Sequence, residues 1–240
     1  MNDQNIETAE KKENAVSFPL IGTKAPSFET NTTQGMIKFP EDYEGKWVIL
    51  FSHPSDFTPV CTTEFMTFAK MHEEFAEMNT ELIGLSIDSL FSHLAWVNAI
   101  EGYTWEDIEN PEVKFPVIAD IKMEVANKYG MVQGESDTSA VRAVFFIDPR
   151  GIVRTILYYP ASLGRNFAEI KRILTGLQLC EKENVALPAN WQPGKDVIIP
   201  APGTQTALKE RVELGQSGSD DRYEYDMKDW YLTFRKDKDK

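Results

Sequence analysis

The sequence predicts an α/β fold: a mixed, mainly parallel-cored sheet with flanking helices, followed by a C-terminal extension arm. Three observations carry that expectation. Trp47-Val48-Ile49-Leu50-Phe51 is a continuous apolar run, the mark of a central strand covered on both faces. Strand-like and helix-like stretches alternate from there to residue 179. Beyond Cys180, prolines at 188, 193, 200 and 202 interrupt any long element.

Residues 1–16 are rich in Glu, Asn and Lys and are expected to form a mobile tail. The apolar run at 47–51 is the first strand. Residues 62–78 place Phe65, Phe68, His72 and Phe75 at helical spacing, with Glu73, Glu74 and Glu77 left for solvent. Residues 82–87 read as a second strand. Phe91, Leu94, Ala95 and Asn98 suggest a helix ending near Gly102. A short strand follows at 115–119, then a helix at 122–129 stopped by Gly130. Residues 141–147 and 152–158 form an antiparallel pair across the turn Asp148-Pro149-Arg150-Gly151. The last helix of this series, 166–179, puts Phe167, Ile170, Ile173, Leu174 and Leu177 on one face.

The order β-α-β-α-β-α-β-β-α is thioredoxin-like, with a parallel core and an antiparallel hairpin at one edge. The expected organisation is a tail over 1–16, a thioredoxin-like domain over 17–179 and an arm over 180–240. In the arm, 205–214 reads as a short helix. Tyr223, Tyr225, Trp230, Tyr231 and Phe234 then crowd aromatics that need burial, on this chain or on a neighbouring subunit.

At 240 residues the chain can bury a full-sized core. Its net charge of −13 disfavours nucleic acid and anionic membrane as partners. No apolar run approaches membrane-spanning length, and the polar first residues do not read as a signal peptide. Two cysteines far apart are no secreted disulfide framework, so a reducing, cytoplasmic setting is expected. The three histidines and two cysteines lack close ligand spacing; neither a metal nor a cofactor is implied.

The most informative stretch is Pro54-Ser55-Asp56-Phe57-Thr58-Pro59-Val60-Cys61, between the first strand and the following helix. A thiol at a helix N-terminus feels the partial positive charge of unpaired N–H groups, which favours its thiolate. The alternative is a small buried core cysteine. The spacing Pro-x-x-x-Thr-x-x-Cys decides between them, because it is the pattern by which peroxiredoxins are recognised.

The chain resembles the peroxiredoxins of the alkyl hydroperoxide reductase/thiol-specific antioxidant superfamily, in their one-cysteine and archaeal-type subgroup. The resemblance rests on four motifs in order: Phe51-Ser52-His53-Pro54 through Cys61-Thr62-Thr63-Glu64, Val141 to Phe145, Tyr159 to Phe167, and Pro188-Ala189-Asn190-Trp191. It implies a thiol-dependent peroxidase acting on hydrogen peroxide and organic hydroperoxides. Cys61 would be the attacking sulfur and would become a sulfenic acid. Arg142 resembles the family guanidinium that favours the thiolate and holds the peroxide. The Thr58 hydroxyl would hydrogen-bond the peroxide, and Pro54 would shield the sulfur from bulk water. Arg165 resembles the second family arginine, with Glu64 as its partner. His53 is read either as a donor near the sulfur or as a strand-terminal histidine satisfied by backbone. His72 and His93 lie within helical patterns distant from the motif and receive no role.

Resolving thiols of relatives fall at positions occupied here by Leu187 and by Met227 to Thr233, which hold no cysteine. The resemblance therefore implies a one-cysteine enzyme regenerated by an external thiol, as a homodimer or a larger ring. Cys180 is read as a packed side chain or as an unconventional resolving thiol. Two rivals remain. A disulfide oxidoreductase needs Cys-x-x-Cys, whereas the fourth position here is Glu64. A non-catalytic holdase would not require Pro54, Thr58, Cys61 and Arg142 together.

Overall fold

Alternating buried and exposed residues build an N-terminal hairpin from Phe28–Thr32 (β1) and Gly35–Phe39 (β2). Gly35 closes its tight turn with a φ of 102°, a conformation that favours glycine. The computed structural model describes residues 18–132 and 139–237; the predicted tail over 1–16 lies outside them. The hairpin was not expected from sequence, although Phe28, Thr32, Ile37 and Phe39 are its buried positions.

Trp47–Ser52 (β3) is buried at every residue, as its apolar run requires. Pro59–Glu77 (α1) begins earlier than its apolar periodicity suggested, because Pro59 occupies the first helical position, where a missing N–H costs nothing. Phe65, Phe68 and Phe75 of its predicted stripe are fully buried. Thr80–Ser86 (β4) is followed by Leu90–Ile100 (α2), capped by the Ser89 side chain accepting from Ser92 N at 3.2 Å.

The predicted face of α2 is corrected. Its buried residues are His93, Trp96 and Ile100, while Phe91 is 81% exposed and Leu94 45%. A small hairpin, Thr104–Trp105 (β5) with Ile108–Glu109 (β6), precedes Val117–Ala119 (β7). Glu124–Lys128 (α3) is capped by the Asp120 carboxylate, which accepts from the backbone N–H groups of Glu124, Val125 and Ala126. Arg142–Ile147 (β8) and Val153–Tyr159 (β9) form the expected antiparallel pair.

These strands make one seven-stranded sheet in the order β2-β1-β7-β4-β3-β8-β9. The β3–β4 and β4–β7 pairs are parallel, and β8 runs antiparallel to β3. The parallel core with a β8–β9 hairpin at one edge is as expected; the β1–β2 hairpin at the other edge is the addition. Residues of β3 alternate between two cores. Val48 and Leu50 join a cluster with Phe28, Phe39, Ile83, Tyr129 and Phe145. Phe51 points the other way and stacks on Phe68 of α1 at 4.0 Å, with Phe65 and Phe115 at its edges. Truncating such a ring to alanine costs about 3–5 kcal/mol, enough to loosen the β3–α1 junction.

The described residues divide into two compact units between Arg165 and Asn166. The second contains Phe167–Glu183 (α4), Val197–Ile198 (β10), Gln205–Ser217 (α5), Tyr223–Asp229 (β11) and Leu232–Asp237 (β12). β12 is central in a three-stranded sheet between β10 and β11. Trp191 is buried there, its indole N–H donating to the Lys195 carbonyl at 3.1 Å. Arg235 lies 4.1 Å above the Tyr223 ring. Yet Trp230 and Tyr231, at the β11–β12 turn, remain 41% and 54% exposed. Among the described residues no helix is long and apolar enough to cross a membrane.

Candidate active site

β3 ends at Ser52, and the chain turns through His53 to Thr58 before α1 begins. Phe57 sits in this turn with a φ of 54°, left-handed backbone that a bulky residue adopts only at a cost. Thr58 is extended at the cap position, and its hydroxyl donates to the Ser55 carbonyl at 2.8 Å. Pro59 has no N–H, so Val60 and Cys61 carry the first-turn donors that lack a helical acceptor. Cys61 is fully buried. Pro54 and Thr58, beside it in the same turn, are half-buried.

Two arginines from elsewhere in the first unit converge on α1. Arg142, the first residue of β8, places Nη1 at 3.3 Å from Cys61 Sγ and 2.7 Å from Glu64 Oε2. Its Nε and Nη2 both donate to the Ala161 carbonyl, at 3.0 and 2.8 Å, so the fork is held flat from behind. Arg165 donates from Nη1 to Glu64 Oε2 at 2.5 Å and from its backbone N–H to Glu64 Oε1 at 2.8 Å. Its Nη2 donates to the carbonyls of Ser52 and Ala143. Burial pushes the Arg165 guanidinium down from its ordinary range, with the charge of Glu64 opposing.

Glu64 was expected to partner Arg165; it meets that arginine and Arg142 as well. All three side chains are buried. Two guanidiniums share one carboxylate, so the group holds one uncompensated positive charge unless the sulfur beside it is anionic.

The AhpC/TSA family model matches residues 21–156, and that of the C-terminal domain of 1-Cys peroxiredoxin matches 176–214. A peroxiredoxin of Methanosarcina mazei is 62% identical over 225 residues, covering 93% of this chain and all of the relative. Among solved structures, a yeast mitochondrial 1-Cys peroxiredoxin superposes with a TM-score of 0.75 at 39% identity, over 90% of this chain and 98% of that one. Peroxiredoxin 6 of Arenicola marina, as a cysteine-to-serine mutant, gives 0.77 at 32% identity, over 92% and 99%. The chain belongs to the peroxiredoxins. Its sheet and helices are the thioredoxin-like fold of that family, and the protein is a thiol-dependent peroxidase.

One part of this peroxiredoxin site was missed from sequence. His53, fully buried, faces Asp56 Oδ1 through Nε2 at 2.9 Å, while its Nδ1 is buried without a hydrogen-bond partner among the described residues. His93, placed far from the motif on sequence grounds, lies against the same carboxylate: its Nδ1 is 2.8 Å from Asp56 Oδ2 and 3.0 Å from Oδ1. That assignment is corrected; α2 carries His93 into the loop that precedes Cys61. Neither reading of His53 anticipated Asp56 as its partner. The available signal was a histidine on the stripe that also holds Trp96 and Ile100, since a polar side chain on a buried stripe needs a partner. His72 stays on α1, half-buried. Cys180 is half-buried on α4, in the second unit.

His53, Asp56 and His93 are a group whose donor atoms all lie within 4.8 Å of one another. Their contacts of 2.8–3.0 Å are hydrogen-bond distances, shorter than the roughly 3.3 Å that separates ligands about 2.0 Å from a tetrahedral ion. As placed, the three side chains are joined by hydrogen bonds through the Asp56 carboxylate.

Proposed function

We propose that Cys61 is the peroxidatic residue and that turnover follows a one-cysteine cycle completed by an external thiol. The observation that carries this reading is the surplus guanidinium charge of Arg142 at 3.3 Å from Sγ. Within a buried site that charge favours the thiolate, the attacking form. Sγ attacks one peroxide oxygen, the S–O bond forms, the O–O bond breaks, and the departing oxygen leaves as hydroxide or alkoxide and takes up a proton. The sulfenate left on Cys61 takes a proton from solvent, and the sulfenic acid is then reduced by two thiols, giving water, a disulfide of the reductant and free Cys61.

Arg142 stabilises charge as it passes from sulfur to oxygen, the term that usually dominates such barriers. Thr58 offers its hydroxyl to the peroxide, and Pro54 keeps bulk water from the sulfur. Glu64 and Arg165 fix the Arg142 fork and take no part in bond-making. His53, with an unpartnered Nδ1, acts as proton acceptor for the entering substrate and returns the proton to the leaving oxygen.

Hydrogen peroxide and organic hydroperoxides are the substrates. A reductant of the thioredoxin or small-thiol class is supported by the yeast neighbour, which is described with glutathione and thioredoxin systems. Cys180 is a packing residue in this reading. The arm over 180–240 pairs two chains into a homodimer, which would cover the exposed Trp230 and Tyr231; rings of dimers are the larger assembly. A reducing, cytoplasmic setting suits a cycle that leaves Cys61 as a free thiol.

Intact-mass analysis after one equivalent of peroxide, with and without a small thiol, tests the cycle. A sulfenic acid at Cys61 that becomes a mixed disulfide with the added thiol is expected. An internal Cys61–Cys180 disulfide would contradict it.

A further inference from the structure

We propose that His93 is a positioning residue for peroxide reduction: an imidazolium clamped between Asp56 and Ile118, which keeps His53 neutral with a bare Nδ1. His93 Nε2 lies 3.1 Å from the Ile118 carbonyl, an atom that can only accept, so Nε2 carries a hydrogen. His93 Nδ1 lies 2.8 and 3.0 Å from the two oxygens of Asp56. A protonated carboxyl would offer its O–H from one oxygen only. A ring nitrogen placed between both oxygens is the geometry of an N–H donating to a carboxylate. Both ring nitrogens of His93 are therefore donors, and the ring is a cation.

His53 completes the count. Its Nε2 is 2.9 Å from Asp56 Oδ1 and takes a hydrogen, while Nδ1 has no partner among the described residues. One carboxylate, one cation and one neutral ring sum to zero charge, the arrangement that buried groups tolerate best. The ionisation of Asp56 agrees. Burial alone would raise its carboxyl, but hydrogen bonds from His53 and His93 outweigh that and hold it well below the usual range.

The other charged groups nearby are occupied. Asp88 accepts from Asp56 N–H, Ser55 Oγ and Ser86 Oγ, and Asp120 from the first turn of α3. Trp96 and Phe65 cover the His53 ring. With the His93 charge removed, Asp56 would face His53 alone. His53 would then take a second proton more readily, and its acceptor would be lost.

The charge state of His93 stands by itself; its kinetic consequence rests on the reading of His53 as proton acceptor. The test is imidazole ¹⁵N NMR of the full chain between pH 6 and 8. Its three histidines make assignment short work, with His72→Asn identifying His72. In the wild type, His93 is expected to show two protonated nitrogens across the range and His53 one. A bare nitrogen on His93 would overturn the proposal.

In His93→Gln, His53 is expected to gain its second proton within the range. The rate of Cys61 with hydrogen peroxide should follow that titration and fall about tenfold toward its low end relative to wild type. A His53 that keeps its bare Nδ1 in His93→Gln, with wild-type rates at every pH, would also overturn it. Should the variant not fold, the wild-type spectrum alone decides. Failure of the peroxidase reading looks different: no peroxide reaction in the wild type, with the histidine spectra unchanged.

Discussion

The Arg142 guanidinium is divided between a sulfur and a carboxylate on one helix, with Nη1 at 3.3 Å from Cys61 Sγ and 2.7 Å from Glu64 Oε2. The residues stand three apart on α1, so they share a face and both reach the strand that carries Arg142. Charge at the sulfur is therefore coupled to charge at Glu64 through a single side chain.

Arg142→Met should lower the second-order rate constant of Cys61 with hydrogen peroxide by roughly 10²- to 10³-fold, the cost of losing one aimed donor. Arg142→Lys should fall between the two. It keeps a charge but loses the fork that also grips the Ala161 carbonyl. Rapid mixing with peroxide measures both.

Glu64→Gln leaves two buried guanidiniums facing a neutral amide. Breaking a buried ion group by removing one partner costs about 3–5 kcal/mol. Urea unfolding should show a loss of that order, and the peroxide rate should fall because Arg142 is no longer held. A variant as stable as wild type would mean that Glu64 does not organise the arginines.

The His53 and Asp56 pair sets a pH dependence. Burial pushes His53 below its ordinary value of 6.5. The folded state then binds fewer protons than the unfolded one, and stability falls as pH drops below 6.5, by up to about 1.4 kcal/mol per pH unit. Asp56 is also held low, so its contribution is complete above 3.8 and is lost only as pH falls below that. Urea midpoints at pH 7 and pH 5 should therefore differ in the wild type. The difference should shrink in His53→Gln, which removes the titrating ring.

Cys180→Ser should turn over peroxide with an external thiol at the wild-type rate and show no new sensitivity to overoxidation. A sharp loss of thiol-supported turnover, measured by consumption of the reductant, would assign Cys180 a resolving role.

The parallel core was legible because its signals are local. The apolar run of β3, the stripe Phe65-Phe68-Phe75 and the turn before β9 each lie within a short window. The β1–β2 hairpin was not, since two five-residue strands of mixed polarity carry little periodicity. The face of α2 was misread because Phe91 and Leu94 look more core-like than His93, yet His93 is the one with a buried partner. Pro54, Thr58 and Cys61 stand at one local spacing, Pro-x-x-x-Thr-x-x-Cys, whereas Arg142 and Arg165 came from separate family motifs. No local pattern could show that Arg142 meets both Cys61 and Glu64, because those contacts cross most of the first unit. The Asp56–His93 contact, between residues 37 apart in the chain, is non-local too.

The most direct measurement is rapid mixing of wild type and Cys61→Ser with hydrogen peroxide, followed by mass analysis. The account requires fast oxidation in the wild type, far beyond that of free cysteine, with the added oxygen on Cys61, and no fast phase in Cys61→Ser. A fast phase that survives in Cys61→Ser, or a wild-type rate no higher than that of free cysteine, would contradict it.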